Sequence, residues 1–116
     1  MNRETKRIVD EAMRDFRRTG GKQFRKRQFN ALCDLLNDIF DHEPVCRGEL
    51  EAIGRRHLTG YYQRHSQLKL TTLTARWRVL CVLFEKIGMN EPLHPQQALK
   101  KQLAEKKQQN SCFVIE

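Results

Sequence analysis

The residues best suited to chemistry in this chain are cations and hydroxyls gathered in two short segments. The first holds Lys22, Arg25, Lys26 and Arg27, and the second holds Lys69, Thr71, Thr72, Thr74, Arg76 and Arg78. Lysine and arginine neutralise phosphates, and threonine hydroxyls donate to phosphate oxygens or base edges. Each segment coincides with the expected start of a helix, where unpaired backbone N–H groups favour anions. Each also has an ordinary structural reading. The first is a solvated basic turn, and the threonines are caps or donors to the i−4 carbonyl.

Enzymatic constellations are scarce. The sequence holds no Gly-rich phosphate loop, no His-Glu-x-x-His and no Gly-x-Ser-x-Gly. Glu49 and Glu51 lie two apart, so a helix would not put them on one face. His57 and His65 read as surface or core-edge residues, and Tyr61 and Tyr62 as core residues with hydroxyls reaching outwards. Cys33, Cys46, Cys81 and Cys112 are spaced 13, 35 and 31 apart with no Cys-x-x-Cys, and no His-x3-5-His pair occurs. Zinc ligation is therefore not expected. Cys33 and Cys81 fall within helical patterns and read as small core residues. The expectation is a chain with no catalytic residues, no metal and no cofactor.

The charge pattern supports binding. The chain has 116 residues and a formal net charge of +8. Residues 1–30 carry a net +6, residues 31–53 a net −5 and residues 54–90 a net +6. A positive surface assembled from two separated segments suits a nucleic-acid partner. Solubility alone is the competing explanation. No apolar run is long enough for a membrane span or a signal peptide, so a soluble, cytoplasmic chain with no membrane partner is expected.

The elements that must position these residues are helical. One core fits this length, and alternating strand patterns are absent. A first helix is expected over 4–18, with Ile8 or Val9, Ala12, Met13 and Phe16 inward, ended by Thr19-Gly20-Gly21. A second should run from about Lys22 to Phe40 on a Phe29, Leu32, Leu36 and Ile39 stripe. Its cations precede its acids, against the helix dipole, so its opening is electropositive. Pro44 forbids continuation. A third helix should span Arg55 or Arg56 to His65. A fourth carries Leu73, Trp77, Leu80, Phe84 and Ile87 on one face, with Thr71 or Thr72 as N-cap and Gly88 as terminator. Pro95 suits position N1 of a last helix near 96–108, and Asn110–Glu116 should fray.

In this order, "Ile53-Gly-Arg-Arg-His-Leu-Thr-Gly-Tyr-Tyr62" and "Leu70-Thr-Thr-Leu-Thr-Ala-Arg-Trp-Arg-Val-Leu-Cys-Val-Leu-Phe-Glu-Lys-Ile-Gly88" resemble the N-terminal core-binding domain of phage integrases, the tyrosine recombinases. The resemblance covers roughly residues 5–92 and rests on the order and spacing of degenerate motifs. It implies an all-α, SAM-like bundle of four to five helices, the domain of residues 1–92, that clamps duplex DNA. Residues 93–116, a C-terminal helix and frayed tail, are then either part of the same domain or a linker. It also implies that Lys22, Arg25, Lys26, Arg27, Lys69, Thr71, Thr72, Thr74, Arg76 and Arg78 face DNA. The family's catalytic arginines, His-x-x-Arg and nucleophilic tyrosine have no counterpart here, so the chain should not cut DNA by itself. Its expected partners are double-stranded DNA, with a recombinase catalytic domain or further copies on DNA, in a prokaryotic or phage-like, nucleoid-associated setting. Two alternatives are a helix-turn-helix regulator built on Tyr61–Leu83, and a helical interaction module that docks through Phe113, Val114 and Ile115.

Overall fold

A computed structural model describes residues 1–99, and these form an all-α bundle. The helices are α1 (Arg3–Ala12), α2 (Arg14–Arg18), α3 (Lys22–His42), α4 (Arg55–Arg64) and α5 (Leu70–Lys86). Residues 95–99 open one further helix. The tail Asn110–Glu116, with Cys112 and Phe113–Ile115, lies outside the described residues.

The long helix α3 is the axis of the bundle, packing against α2, α4 and α5. Phe29, Leu32, Leu35, Leu36, Ile39 and Phe40 recur at helical spacing and are all buried. Leu73, Val79, Leu80, Leu83 and Phe84 face them from α5, and Leu58, Tyr61 and Tyr62 from α4. Fully burying one such side chain stabilises the fold by roughly 1.5–3 kcal/mol before chain entropy is set against it. Val9 and Met13 close the core from α1, with Ile8, Ala12 and Phe16 partly buried beside them.

Several boundaries differ from the sequence reading. The first helix is interrupted at Met13, whose ψ of 5° bends the chain between α1 and α2. The bend lets the short α2 follow the surface of α3. The threonines do not cap α5. Lys69 is its N-cap, and its carbonyl already receives the N–H groups of Thr72 and Leu73 at 3.0 and 3.1 Å. Thr71 and Thr72 thus lie inside the first turn rather than before it.

At the other end Gly88 takes φ +77°, its N–H reaches Glu85 O at 3.3 Å and the Met89 N–H reaches Phe84 O at 2.8 Å. That pair of bonds is the Schellman closure, and the positive φ is why glycine stands there.

Trp77 is half-buried rather than fully buried. Its indole N–H donates to Pro92 O at 2.9 Å, and its ring meets the edge of His94 with centroids 4.4 Å apart. The Tyr62 hydroxyl donates to Leu93 O at 2.8 Å. Pro95 does stand at N1, and His94 is the cap, its Nδ1 accepting the Gln96 N–H at 3.0 Å. These contacts, with Ala98 buried in the core, tie residues 92–98 to the helices before them.

Among the cysteines, Cys46 is buried while Cys33 and Cys81 are only half-buried. Burial pushes all three thiols up, Cys81 to about 11, which keeps them protonated at neutral pH and poor nucleophiles.

Candidate nucleic-acid interface

The turn at Thr19–Gly21 folds α2 back along the first turns of α3. Gly20 sits at φ +77°, a conformation L side chains rarely adopt, and a Cβ there would lie 3.1 Å from Arg25 Nε. Two reciprocal contacts hold the hairpin shut. The Arg17 guanidinium lies over the Phe29 ring at 4.4 Å, and the Arg25 guanidinium over the Phe16 ring at 4.2 Å. Each such pair contributes roughly 0.5–2 kcal/mol, depending on how far it is desolvated.

Between the two arms lies an open groove of about 490 Å³ lined by Arg14, Arg17, Arg18, Lys22, Lys26, Phe29 and Asn30. Helical spacing explains the convergence. Arg14, Arg17 and Arg18 are related by three and four residues, as Lys22 and Lys26 are by four, so each set shares a face. Five cations and an amide line the groove, and among the described residues no carboxylate does. The local potential is therefore strongly positive.

The segment Lys22–Arg27 is divided by this geometry. Lys22 and Lys26 enter the groove, Arg27 is exposed outside its lining, and Arg25 turns towards the hairpin closure. Arg25 donates through Nε to Thr19 O at 2.9 Å and through Nη1 to Gln28 Oε1 at 3.1 Å.

The second segment is divided as well. Thr71, Thr74 and Arg78 follow one another at three and four residues along the outer face of α5, with Thr71 and Arg78 exposed. Lys69 is exposed just before the helix, and Thr72 is exposed within its first turn. Thr72 and Arg76 share a different face, and Arg76 is half-buried, donating to the Tyr61 hydroxyl at 2.7 Å. Burial pushes the Tyr61 phenol up, with Asp38 and Asp34 pushing it the same way and Arg76 opposing them. Tyr61 thus lies within electrostatic reach of the acidic half of α3, whose Asp34 and Asp38 are eight and twelve residues beyond Lys26, about 12–18 Å along the axis.

No residue from 69–78 lines the groove, and no hydrogen bond or ion pair among the described residues joins the two segments. The groove and the outer face of α5 thus share no lining residue.

Asp38 is the hub of that acidic half. Arg64 donates to its Oδ1 through Nη2 at 2.6 Å and through Nε at 3.0 Å, and the His65 Nε2–H donates to Oδ2 at 2.9 Å. Burial opposes ionisation of Asp38. The hydrogen bonds from His65 and Arg64, together with the Arg64 charge, outweigh it and hold the carboxyl below the ordinary carboxylate value. His65 also packs against Tyr61 with centroids 4.5 Å apart. His57 has a local task, its Nδ1 accepting the Gly54 N–H at 2.9 Å at the start of α4. Both histidines are thus occupied in structure. Among the described residues, no three His, Cys, Asp or Glu side chains are placed to hold a metal ion.

Arg14, Arg17 and Arg18 are groove residues that the two-segment reading missed. Their signal was present: three arginines on one helical face directly before a Gly-Gly turn and a basic helix start. Taking residues 4–18 as one straight helix hid it, because a straight helix does not lie back along α3. No described helix is long and apolar enough to cross a membrane. Comparison with known proteins finds no family model, no curated protein and no solved structure that matches this chain.

Proposed function

We propose that the chain is a non-catalytic DNA-binding module of integrase type, and that the groove between α2 and α3 is where it takes the phosphates of a duplex. One observation carries this reading: five cations from two helices converge on one open groove that no carboxylate among the described residues lines. Five phosphate contacts correspond to a log–log salt slope of about −4.5. A solvated basic face would not need two helices folded together over it.

Duplex suits the groove better than a single strand. Strand-binding surfaces stack bases on open aromatic rings. Here the Phe29 and Phe16 rings are already covered by Arg17 and Arg25, and the exposed Phe24 ring does not line the groove. The outer stripe of α5, with Lys69, Thr71, Thr74 and Arg78, forms a second contact region in this reading. The order of motifs along the chain supports the integrase type and the SAM-like bundle. A recombinase catalytic domain, or further copies assembled on DNA, would then be the partner.

The test is a titration of a short labelled duplex, followed by fluorescence anisotropy. Lys22→Gln with Lys26→Gln should weaken binding about tenfold per lost contact at about 0.1 M salt. A parent chain that binds no duplex at low salt removes the reading. So does a double variant that binds as tightly as the parent.

A further inference from the structure

We infer that Arg25 is a positioning residue, which with Phe16 sets the shape of the groove, and is not itself a phosphate contact. The inference rests on the duplex-binding reading and deepens it. Arg25 stands between Lys22, Lys26 and Arg27 in sequence, yet every group it meets belongs to the hairpin. Its guanidinium covers the Phe16 ring of α2 at 4.2 Å. Its Nε–H caps the Thr19 carbonyl at the end of α2 at 2.9 Å, and its Nη1 holds Gln28 at 3.1 Å.

The glycine turn fits around this group, because a Cβ at Gly20 would press on Arg25 Nε at 3.1 Å and Nη2 at 3.5 Å. Two donors and the planar face of the guanidinium are thus committed inside the protein. Arg14, Arg17 and Arg18 reach the groove only while α2 lies against α3. Arg25 and Phe16 fasten the turn end of that contact, and the Arg17–Phe29 pair fastens it nearer the centre of α3. Removing the Arg25–Phe16 clasp releases the end of α2 and scatters three of the five groove cations.

The geometry depends on a fork that stacks and donates at once. A lysine ammonium has the charge but cannot reach the carbonyl and the amide while lying flat on a ring.

The experiment measures duplex affinity and salt slope for the full chain and for Phe16→Leu, Arg25→Lys, Arg25→Gln and Lys26→Gln, with helix content checked by circular dichroism. Lys26→Gln should lower the magnitude of the slope by about one, as one lost phosphate contact does. Phe16→Leu removes no charge and Arg25→Lys keeps it, yet each should lower the slope by about two or more and weaken binding about a hundredfold or further. Arg25→Gln should match them.

The inference is overturned if Phe16→Leu and Arg25→Lys bind with the parent's slope while Arg25→Gln loses about one, because Arg25 would then be a phosphate contact. If Phe16→Leu loses its helix content, Arg25→Lys decides alone, as its side chain belongs to no core layer. A parent that binds no duplex overturns the duplex reading itself. A binding parent with an unaffected Arg25→Lys overturns only the role of Arg25.

Discussion

Arg64 of α4 and Arg76 of α5 each have a protein partner, Asp38 in the acidic half of α3 for one and the Tyr61 hydroxyl for the other. Arg14 and Arg18 of α2 and Lys22 and Lys26 at the opposite end of α3 have no ion-pair partner among the described residues. The residue types are alike and their circumstances are opposite. On α4 and α5 a cation completes a half-buried network and its charge is spent on the fold. On the hairpin, cations are brought together against their mutual repulsion, an arrangement that costs folding free energy unless an anion relieves it. Basic residues therefore carry no single meaning in this sequence, and each must be judged by what stands across from it.

The largest expected effect separates the two ends of α3 directly. Neutralising Arg14, Arg18, Lys22 and Lys26 together should weaken duplex binding by roughly a thousandfold or more at about 0.1 M salt. Thermal stability should hold or rise, because repulsion is removed. Anisotropy and melting on the same samples check both halves of that statement. As a core reference, Leu80→Ala removes a fully buried side chain of α5 and should cost roughly 2–5 kcal/mol, measured by chemical denaturation.

Next in size is the opposite end. Asp38→Asn leaves Arg64 and His65 without their anion, and should cost roughly 1–2 kcal/mol while leaving the salt slope of binding untouched. Its pH dependence has a definite sign. The folded carboxyl titrates below the unfolded value of about 3.9, so the contribution is fully present above pH 4 and is lost as pH falls through the lower, folded value. Melting temperature against pH should therefore show a weaker acid limb in Asp38→Asn than in the parent. Gly20→Ala should be smaller, about 1 kcal/mol, because the positive φ is strained for alanine and its Cβ crowds Arg25.

The fold was readable because its signals are local. Three-and-four spacing at Phe29, Leu32, Leu36 and Ile39 and at Leu73, Leu80 and Phe84 marks core faces whatever the tertiary arrangement. The glycines at 20 and 88 and the proline at 44 mark helix ends for reasons that hold in any context. The site was readable only in part, because it depends on which cation meets which partner. Nothing near Arg76 in sequence announces Tyr61, and nothing near Arg64 announces Asp38, 26 residues earlier. Arg14, Arg17 and Arg18 were legible as a face but not as part of a groove, since the bend at Met13 comes from packing on α3. Thr71 and Thr72 failed as caps because the chain straightens at Lys69, whose own carbonyl takes up the first donors of α5.

The smallest effect sharpens that lesson. Trp77→Phe keeps the half-buried ring but loses the donor to Pro92, and should cost about 0.5–1.5 kcal/mol by denaturation, with no change in duplex affinity. A tryptophan in the middle of α5 is thereby assigned to the fold.

The most direct test of the central claim is the salt dependence of duplex binding, measured for the parent beside two paired variants, Lys22→Gln/Lys26→Gln and Arg64→Gln/Arg76→Gln. The five groove contacts should give the parent a log–log slope of about −4.5, steeper where Lys69 and Arg78 also meet phosphates, and the groove pair should lower its magnitude by about two. The Arg64/Arg76 pair should leave the slope unchanged while lowering the melting temperature. Equal loss of slope from both pairs, or a parent slope near zero, would contradict the division of cations between groove and fold.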